Sequence, residues 1–212
     1  MLVFAGVDPN ARDNNGEYTL QKIFKGPDTT GLANHRLEAL ALLLQSDSNG
    51  GTKVNIRVSG TLDTPLHLAV YRRSAMAVAM LLIRGADVNV ANSYGSTPLL
   101  STALMWRAEL QDSEQQILEL LSEREEIDLD VVSGVKRRTA LHYAVLAGAA
   151  TAVDILLEKK ANFRVKDADG HEPIDLLEGP RRRASPADGD IRAMLLEAAG
   201  EPPPETENSE GV

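Results

Sequence analysis

Thr64-Pro65-Leu66-His67-Leu68-Ala69-Val70 does not stand alone in the chain. Thr97-Pro98-Leu99-Leu100-Ser101-Thr102-Ala103 follows it, and then Thr139-Ala140-Leu141-His142-Tyr143-Ala144-Val145. Weaker copies are Glu172-Pro173-Ile174-Asp175-Leu176-Leu177 and Tyr18-Thr19-Leu20-Gln21-Lys22-Ile23-Phe24. Thr64 and Thr97 lie 33 residues apart, as do Thr139 and Glu172, while the other two intervals are 46 and 42. A recurring period with expansions marks a chain of stacked units. Thr64-Pro65 reads as a helix start, since Thr can cap and Pro at the first helical position has no N–H to lose. Leu66, Ala69 and Val70 then share one face. Ala75, Val78, Ala79, Leu81 and Leu82 form a second apolar stretch over 75–84, stopped at Gly85, and Asn92-Ser93-Tyr94-Gly95 is a turn before the next helix. Such a unit cannot cover its apolar face alone, so its neighbours must.

A second landmark keeps phase with the first. Gly85-Ala86-Asp87-Val88-Asn89, Gly6-Val7-Asp8-Pro9-Asn10 and Lys160-Ala161-Asn162-Phe163-Arg164 each end eight positions before the Thr-type residue. Lys53-Val54-Asn55 and Asp128-Leu129-Asp130 end nine before theirs. Together these motifs resemble the ankyrin repeat family over roughly residues 1–200. The resemblance implies an all-α ankyrin-repeat solenoid of about five helix-turn-helix units with hairpin-like tips, near 1–50, 51–84, 85–125, 126–158 and 159–200. Residues 201–212 are acidic and Pro-rich and are expected to be a disordered tail. One insertion falls within Lys25–Asn34, ahead of a helix over Arg36–Leu44. Another lies near Met105–Ser113, where Trp106–Leu110 is expected to lengthen the first helix, before a helix over Glu114–Arg124. Met1–Asp8 looks like the end of a second helix whose first helix is missing. A piece of a longer array is expected, because Leu2, Val3 and Phe4 would otherwise be poorly covered.

Composition narrows function. The formal charge is -9 and the pI about 5.0, so phosphate backbones are repelled and nucleic acid is not an expected partner. Only 4% of residues are aromatic against 43% apolar, which suits closely packed helices of Leu, Ala, Val and Ile. The absence of cysteine excludes disulfides, thiol catalysis and Cys-type zinc sites. Met1–Gly6 lacks a basic n-region, and no apolar run is long enough to span a bilayer. No membrane insertion is expected, and the reading is of a cytoplasmic or nuclear monomer. No Gly-x-Ser-x-Gly elbow, phosphate loop or Gly-x-Gly-x-x-Gly occurs, so no cofactor and no enzymatic activity are expected. Glu123, Glu125 and Glu126 read as a solvated helix end. His67 and His142 hold the same position two units apart, about 20 Å at about 10 Å per unit, too far to share a metal. His35 and His171 have no partner at ligand spacing.

The resemblance implies that His67 and His142 are structural, bonding neighbouring loop backbone and tying units together. It also implies protein binding through the tips and the inner-helix groove. The tip candidates are Asn14, Asn15, Glu17, Asp63, Ser93, Tyr94 and Ser96, then Lys136, Arg137, Arg138, Asp169 and His171. On the inner helices they are Tyr71, Arg72, Leu104, Met105, Leu146 and Ala147. Tyr71, Tyr94 and Trp106 are the expected anchors, because aromatics and Arg dominate interface energetics. Trp106 has a second reading, packing the insertion onto its neighbour. Lys136-Arg137-Arg138 is either a solvated basic tip or an anchor for an acidic segment, since Arg forks grip carboxylates. Asn55 and Asn89 read as turn residues. Arg181-Arg182-Arg183-Ala184-Ser185-Pro186 resembles a basophilic kinase site with Ser185 as acceptor. Two roles fit: a scaffold or adaptor, and the regulatory or targeting part of a larger enzyme or signalling receptor. A third is an acidic inhibitor masking a basic factor.

Overall fold

The computed structural model describes residues 8–26, 32–45, 51–106, 111–178 and 185–201. Its helices are α1 (Thr19–Ile23), α2 (Asn34–Leu44), α3 (Pro65–Tyr71), α4 (Ala75–Ile83), α5 (Pro98–Leu104) and α6 (Gln111–Ser122). Next come α7 (Ala140–Ala147), α8 (Ala150–Glu158), a 3-10 helix (Pro173–Glu178) and α9 (Asp188–Ala199). Extended pairing among the described residues is confined to the isolated bridges Arg12–Tyr18 and Ser133–Arg138. The helices form two rows. α1, α3, α5, α7 and the 3-10 helix pack in succession, as do α2, α4, α6, α8 and α9, and each first-row helix also packs on its second-row mate. Leu20, Leu40, Leu66, Leu81, Leu118, Leu141 and Leu156 are among the buried side chains of one core that runs the length of the stack to Leu195.

Local chemistry sets the helix ends. Thr64, Thr97 and Thr139 each accept a hydrogen bond from the backbone N–H three residues on, at His67, Leu100 and His142. Pro65 and Pro98 occupy the first helical turn, where no backbone donor is lost. Gly148 closes α7 in the left-handed region at φ 67°. Four differences from the sequence reading appear, the first being that α2 begins at Asn34, ahead of Arg36 and inside the expected insertion. α5 ends at Leu104 with Met105 as its cap, so Trp106 does not continue the helix. α6 begins at Gln111 and ends at Ser122, earlier at both ends than expected. The weak copy at Glu172 winds as a 3-10 helix. Residues 1–7 and 202–212, on which the fragment and tail readings rest, lie outside the described residues.

Gly85 leaves α4 at φ 77°, and at the equivalent place after α8 Lys160 takes φ 71°. A left-handed L-residue costs on the order of 1 kcal/mol that glycine avoids. Lys160 is exposed. Lys160→Gly is therefore expected to raise stability by about 1 kcal/mol in urea unfolding, and Gly85→Lys to lower it by a similar amount.

Candidate functional site

A short finger leads into each first-row helix. The fingers ahead of α1, α5 and the 3-10 helix share one internal design, while those ahead of α3 and α7 are closed by backbone bonds between Val58 and Asp63 and between Ser133 and Arg138. Asp13 Oδ1 accepts the N–H groups of Asn15 and Glu17, both at 2.9 Å. Asn92 Oδ1 accepts those of Tyr94 and Ser96, and Asp167 Oδ1 those of Asp169 and His171. One side-chain oxygen at the finger base thus folds the whole turn. Neighbouring fingers are bonded together. Ser93 N–H donates to Thr61 O at 2.8 Å, Ser133 Oγ to Tyr94 O at 3.0 Å and Ala168 N–H to Lys136 O at 2.8 Å.

A second ladder joins the units behind the fingers. The Asn55 amide donates to Gly85 O and accepts from Asp87 N–H. Asn10 and Asn89 do the same to the units that follow them. Asn55 and Asn89 therefore clamp the next unit instead of serving their own turn.

The two buried histidines have a fixed tautomer. Thr64 N–H donates to His67 Nδ1 at 3.2 Å, so Nε2 carries the proton and donates to Ser96 O at 2.9 Å. His142 repeats this with Thr139 N–H at 3.2 Å and His171 O at 3.2 Å. Burial lowers both below the ordinary histidine value of 6.5. The unfolded chain takes up these protons first as pH falls, so the contribution of both histidines is complete above about pH 6.5 and lost below it. Asp167 titrates in another window. Burial alone would raise it, but the N–H groups of His171 and Asp169 and the Arg138 guanidinium hold it below 3.8. Thermal melts are expected to fall in two steps, one beginning near pH 6.5 and one below about pH 3.8. His67→Gln should shrink only the first.

The structure divides the candidate residues. Asn14, Asn15, Ser93, Lys136, Arg137, Asp169 and His171 are exposed, and Tyr94 is 71% exposed. Glu17 is half-buried and pairs with Lys25. Three candidates are withdrawn from the surface. Asp63, 6% exposed, accepts from the Tyr71 hydroxyl at 3.1 Å and the Asn92 amide at 2.9 Å. Ser96, also 6% exposed, meets Ser133 Oγ, and Trp106 belongs to the core. Arg138 is half-buried and pairs with the buried Asp167 at 3.0 Å. Of the expected anchors, Tyr94 offers a free face, Tyr71 is half-buried with its hydroxyl engaged, and Trp106 offers none. Ser185 is half-buried, its N–H donating to Asp188 and its Oγ accepting from Ala187 N–H; residues 179–184 lie outside the described residues.

On the first-row helices Arg72 donates to Phe24 O at 2.7 Å, Met105 and Leu146 are half-buried, and Leu104 and Ala147 are exposed. Finger and helix meet in a hollow of about 250 Å³ lined by Glu17, Phe24, Lys25, Val58, Leu68, Tyr71 and Arg72. His171 does have a neighbour, contrary to the sequence reading: its Nδ1 lies 3.6 Å from Asp167 Oδ1, with Asp169 beside them. Two backbone N–H groups and Arg138 already engage both oxygens of the Asp167 carboxylate, so this trio reads as finger architecture.

Sequence reasoning missed Leu62 and Val135, which are 41% and 94% exposed on the fingers either side of Tyr94. A signal existed: each sits among turn residues, in Ser59-Gly60-Thr61-Leu62 and Gly134-Val135, where no helix face can bury it.

Family models called "Ankyrin repeat" and "Ankyrin repeats (3 copies)" match residues 61–93 and 92–167. The chain belongs to the ankyrin-repeat family. Ankyrin repeats generally serve as protein–protein interaction modules. A crystal structure of EF0377, described as an ankyrin repeat protein, superposes with a TM-score of 0.67 over 84% of this chain and 80% of that one, at 23% identity. That likeness concerns the fold. Human ankyrin repeat and SOCS box protein 16 is 34% identical over 144 residues, 66% of this chain and 30% of that protein. The mouse B-cell lymphoma 3 protein homolog is 28% identical over 87% of this chain and 40% of its own length. A putative palmitoyltransferase, ZDHHC13 of Danio rerio, is 32% identical over 53% of this chain and 16% of its own length. The ankyrin chain thus spans well under half the length of these relatives. No helix among its described residues is long and apolar enough to cross a membrane.

Proposed function

We propose that this chain is a protein-binding scaffold or adaptor that seats a partner protein on its finger tips and first-row helix face, with no catalytic step of its own. The observation that carries the reading is the row Leu62, Tyr94 and Val135, three exposed apolar side chains on successive fingers. Those fingers are braced against one another, by the Ser93 N–H bond to Thr61 O and by the Ser133 hydroxyl bond to Tyr94 O, so little ordering cost remains when a partner docks. Exposed apolar side chains on a rigid frame are the usual centre of an interface. Tyr94→Ala is expected to weaken partner binding by about 2 kcal/mol, near 30-fold, while leaving the melting temperature unchanged. Calorimetric titration with the partner, alongside thermal melts, checks this. A variant that melts lower yet binds normally would reject the assignment.

A second reading is favoured by the relatives, in which the matching segment occupies 16% to 40% of the length. Here the array localises or regulates a larger enzyme or signalling receptor. Sequencing the full transcript separates the two, since an adjoining catalytic or receptor domain would support the second.

A further inference from the structure

We propose that the segment held by the fingers is acidic and places large apolar side chains about 10 Å apart. This rests on the protein-binding reading above and adds the chemistry of what is bound. The chain carries 31 acidic against 22 basic residues, yet its finger side is not acidic. There the carboxylates are already engaged. Asp13 pairs with Lys22, Glu17 with Lys25 and Asp169 with Lys136, while Asp63 and Asp167 are buried.

The finger cations are less committed. Arg12, Arg57, Arg137 and Lys166 are all exposed. Among the described residues no carboxylate lies within ion-pair distance of any of them. Arg12 stacks over Tyr18 and Arg57 reaches Ala91 O, contacts that position each guanidinium and leave its charge unneutralised. Besides Glu201, Glu205, Glu207 and Glu210 of the C-terminal stretch, much of the surplus acid lies on the second row. Asp154, Glu158 and Glu197 line one hollow there with the single cation Lys160, Glu123 and Arg124 border another, and Glu38 is exposed on α2.

The two faces therefore differ in sign, and the apolar row lies on the basic one. Leu62, Tyr94 and Val135 sit on fingers of successive units, which advance about 10 Å each. A matching segment carries an apolar anchor at about every third residue if extended, or about every seventh if helical. Asp and Glu between the anchors meet the unpaired arginines as carboxylate–guanidinium pairs. A basic segment would meet like charge along the same path.

The test is selection of short random-sequence peptides displayed on phage against the full chain, followed by anisotropy titration of those enriched. Enriched peptides are expected to be net acidic with apolar residues at one of the two spacings. Their affinity should fall at least about tenfold in R57E/R137E/K166E, and also as salt rises, with the melting temperature unchanged. Enrichment of neutral or basic peptides, an unaffected triple variant, or no enrichment overturns the proposal. If those peptides are still lost in Tyr94→Ala, finger-tip binding stands and only the acidic chemistry falls; if Tyr94→Ala is also harmless, both fall. A salt-sensitive dimer that the triple variant dissolves would put a second copy there and likewise overturn the proposal.

Discussion

Arg73→Ala is expected to cost about 3–5 kcal/mol. Arg73 follows α3, and its Nε donates to Glu114 Oε1 at 2.6 Å, from one unit to the next. The Glu114 side chain is 2% exposed and that of Arg73 15%. The second Glu114 oxygen, Oε2, is buried without a hydrogen-bond partner among the described residues. Arg73 is therefore the charge that makes this buried carboxylate tolerable, and its removal leaves an ion in a low-dielectric site. Arg73 also sits at φ 50°, a position that Gly148 fills after α7. Arg73→Gly should consequently lose about 1 kcal/mol less than Arg73→Ala, because backbone strain is relieved as the pair is broken. Arg73→Ala/Glu114→Leu should recover most of the loss, since an apolar replacement of both partners leaves nothing uncompensated. Urea unfolding of the three variants measures each term. A loss under about 1 kcal/mol for Arg73→Ala, the range of exposed pairs, would show that the carboxylate is hydrated in solution.

What the sequence made legible was local. The Thr-Pro starts, the apolar faces of α3, α4 and α7, and the phase of the Asn landmark all follow from residues within a turn or two of each other. What it hid depends on contacts between units. Asp63 and Ser96 look like tip residues, because a polar residue just before a capping Thr belongs to a turn. Their burial comes from Asn92, 29 residues from Asp63, and from Ser133, 37 residues from Ser96. The Arg73–Glu114 pair joins residues 41 apart and has no local sign. Trp106 was ambiguous for the same reason, since whether an aromatic after a helix is exposed depends on the neighbouring unit. Leu62 and Val135 carry no helix periodicity that would mark them, although a large apolar residue among turn residues has few ways to be buried.

His67→Ala is expected to cost about 4 kcal/mol and to change how the chain unfolds as well as when. The side chain is wholly buried, and truncating a core ring of this size typically costs about 3–5 kcal/mol. The change also strands Thr64 N–H and Ser96 O, the groups its two nitrogens serve. Ser96 belongs to the finger that opens the next unit, so the ring couples neighbouring units as well as capping its own helix. In a stacked array stability is a sum of units and nearest-neighbour interfaces, and weakening one interface can split a single transition. A loss of this size lowers the melting temperature by roughly 10 °C for a chain of this length. Hydrogen exchange on His67→Ala should show α1–α4 losing protection ahead of α7 and α8, with His142→Ala moving the break towards the 3-10 helix and α9. Uniform loss of protection along the chain in both variants would mean that the stack unfolds as one body, with the histidines contributing packing alone.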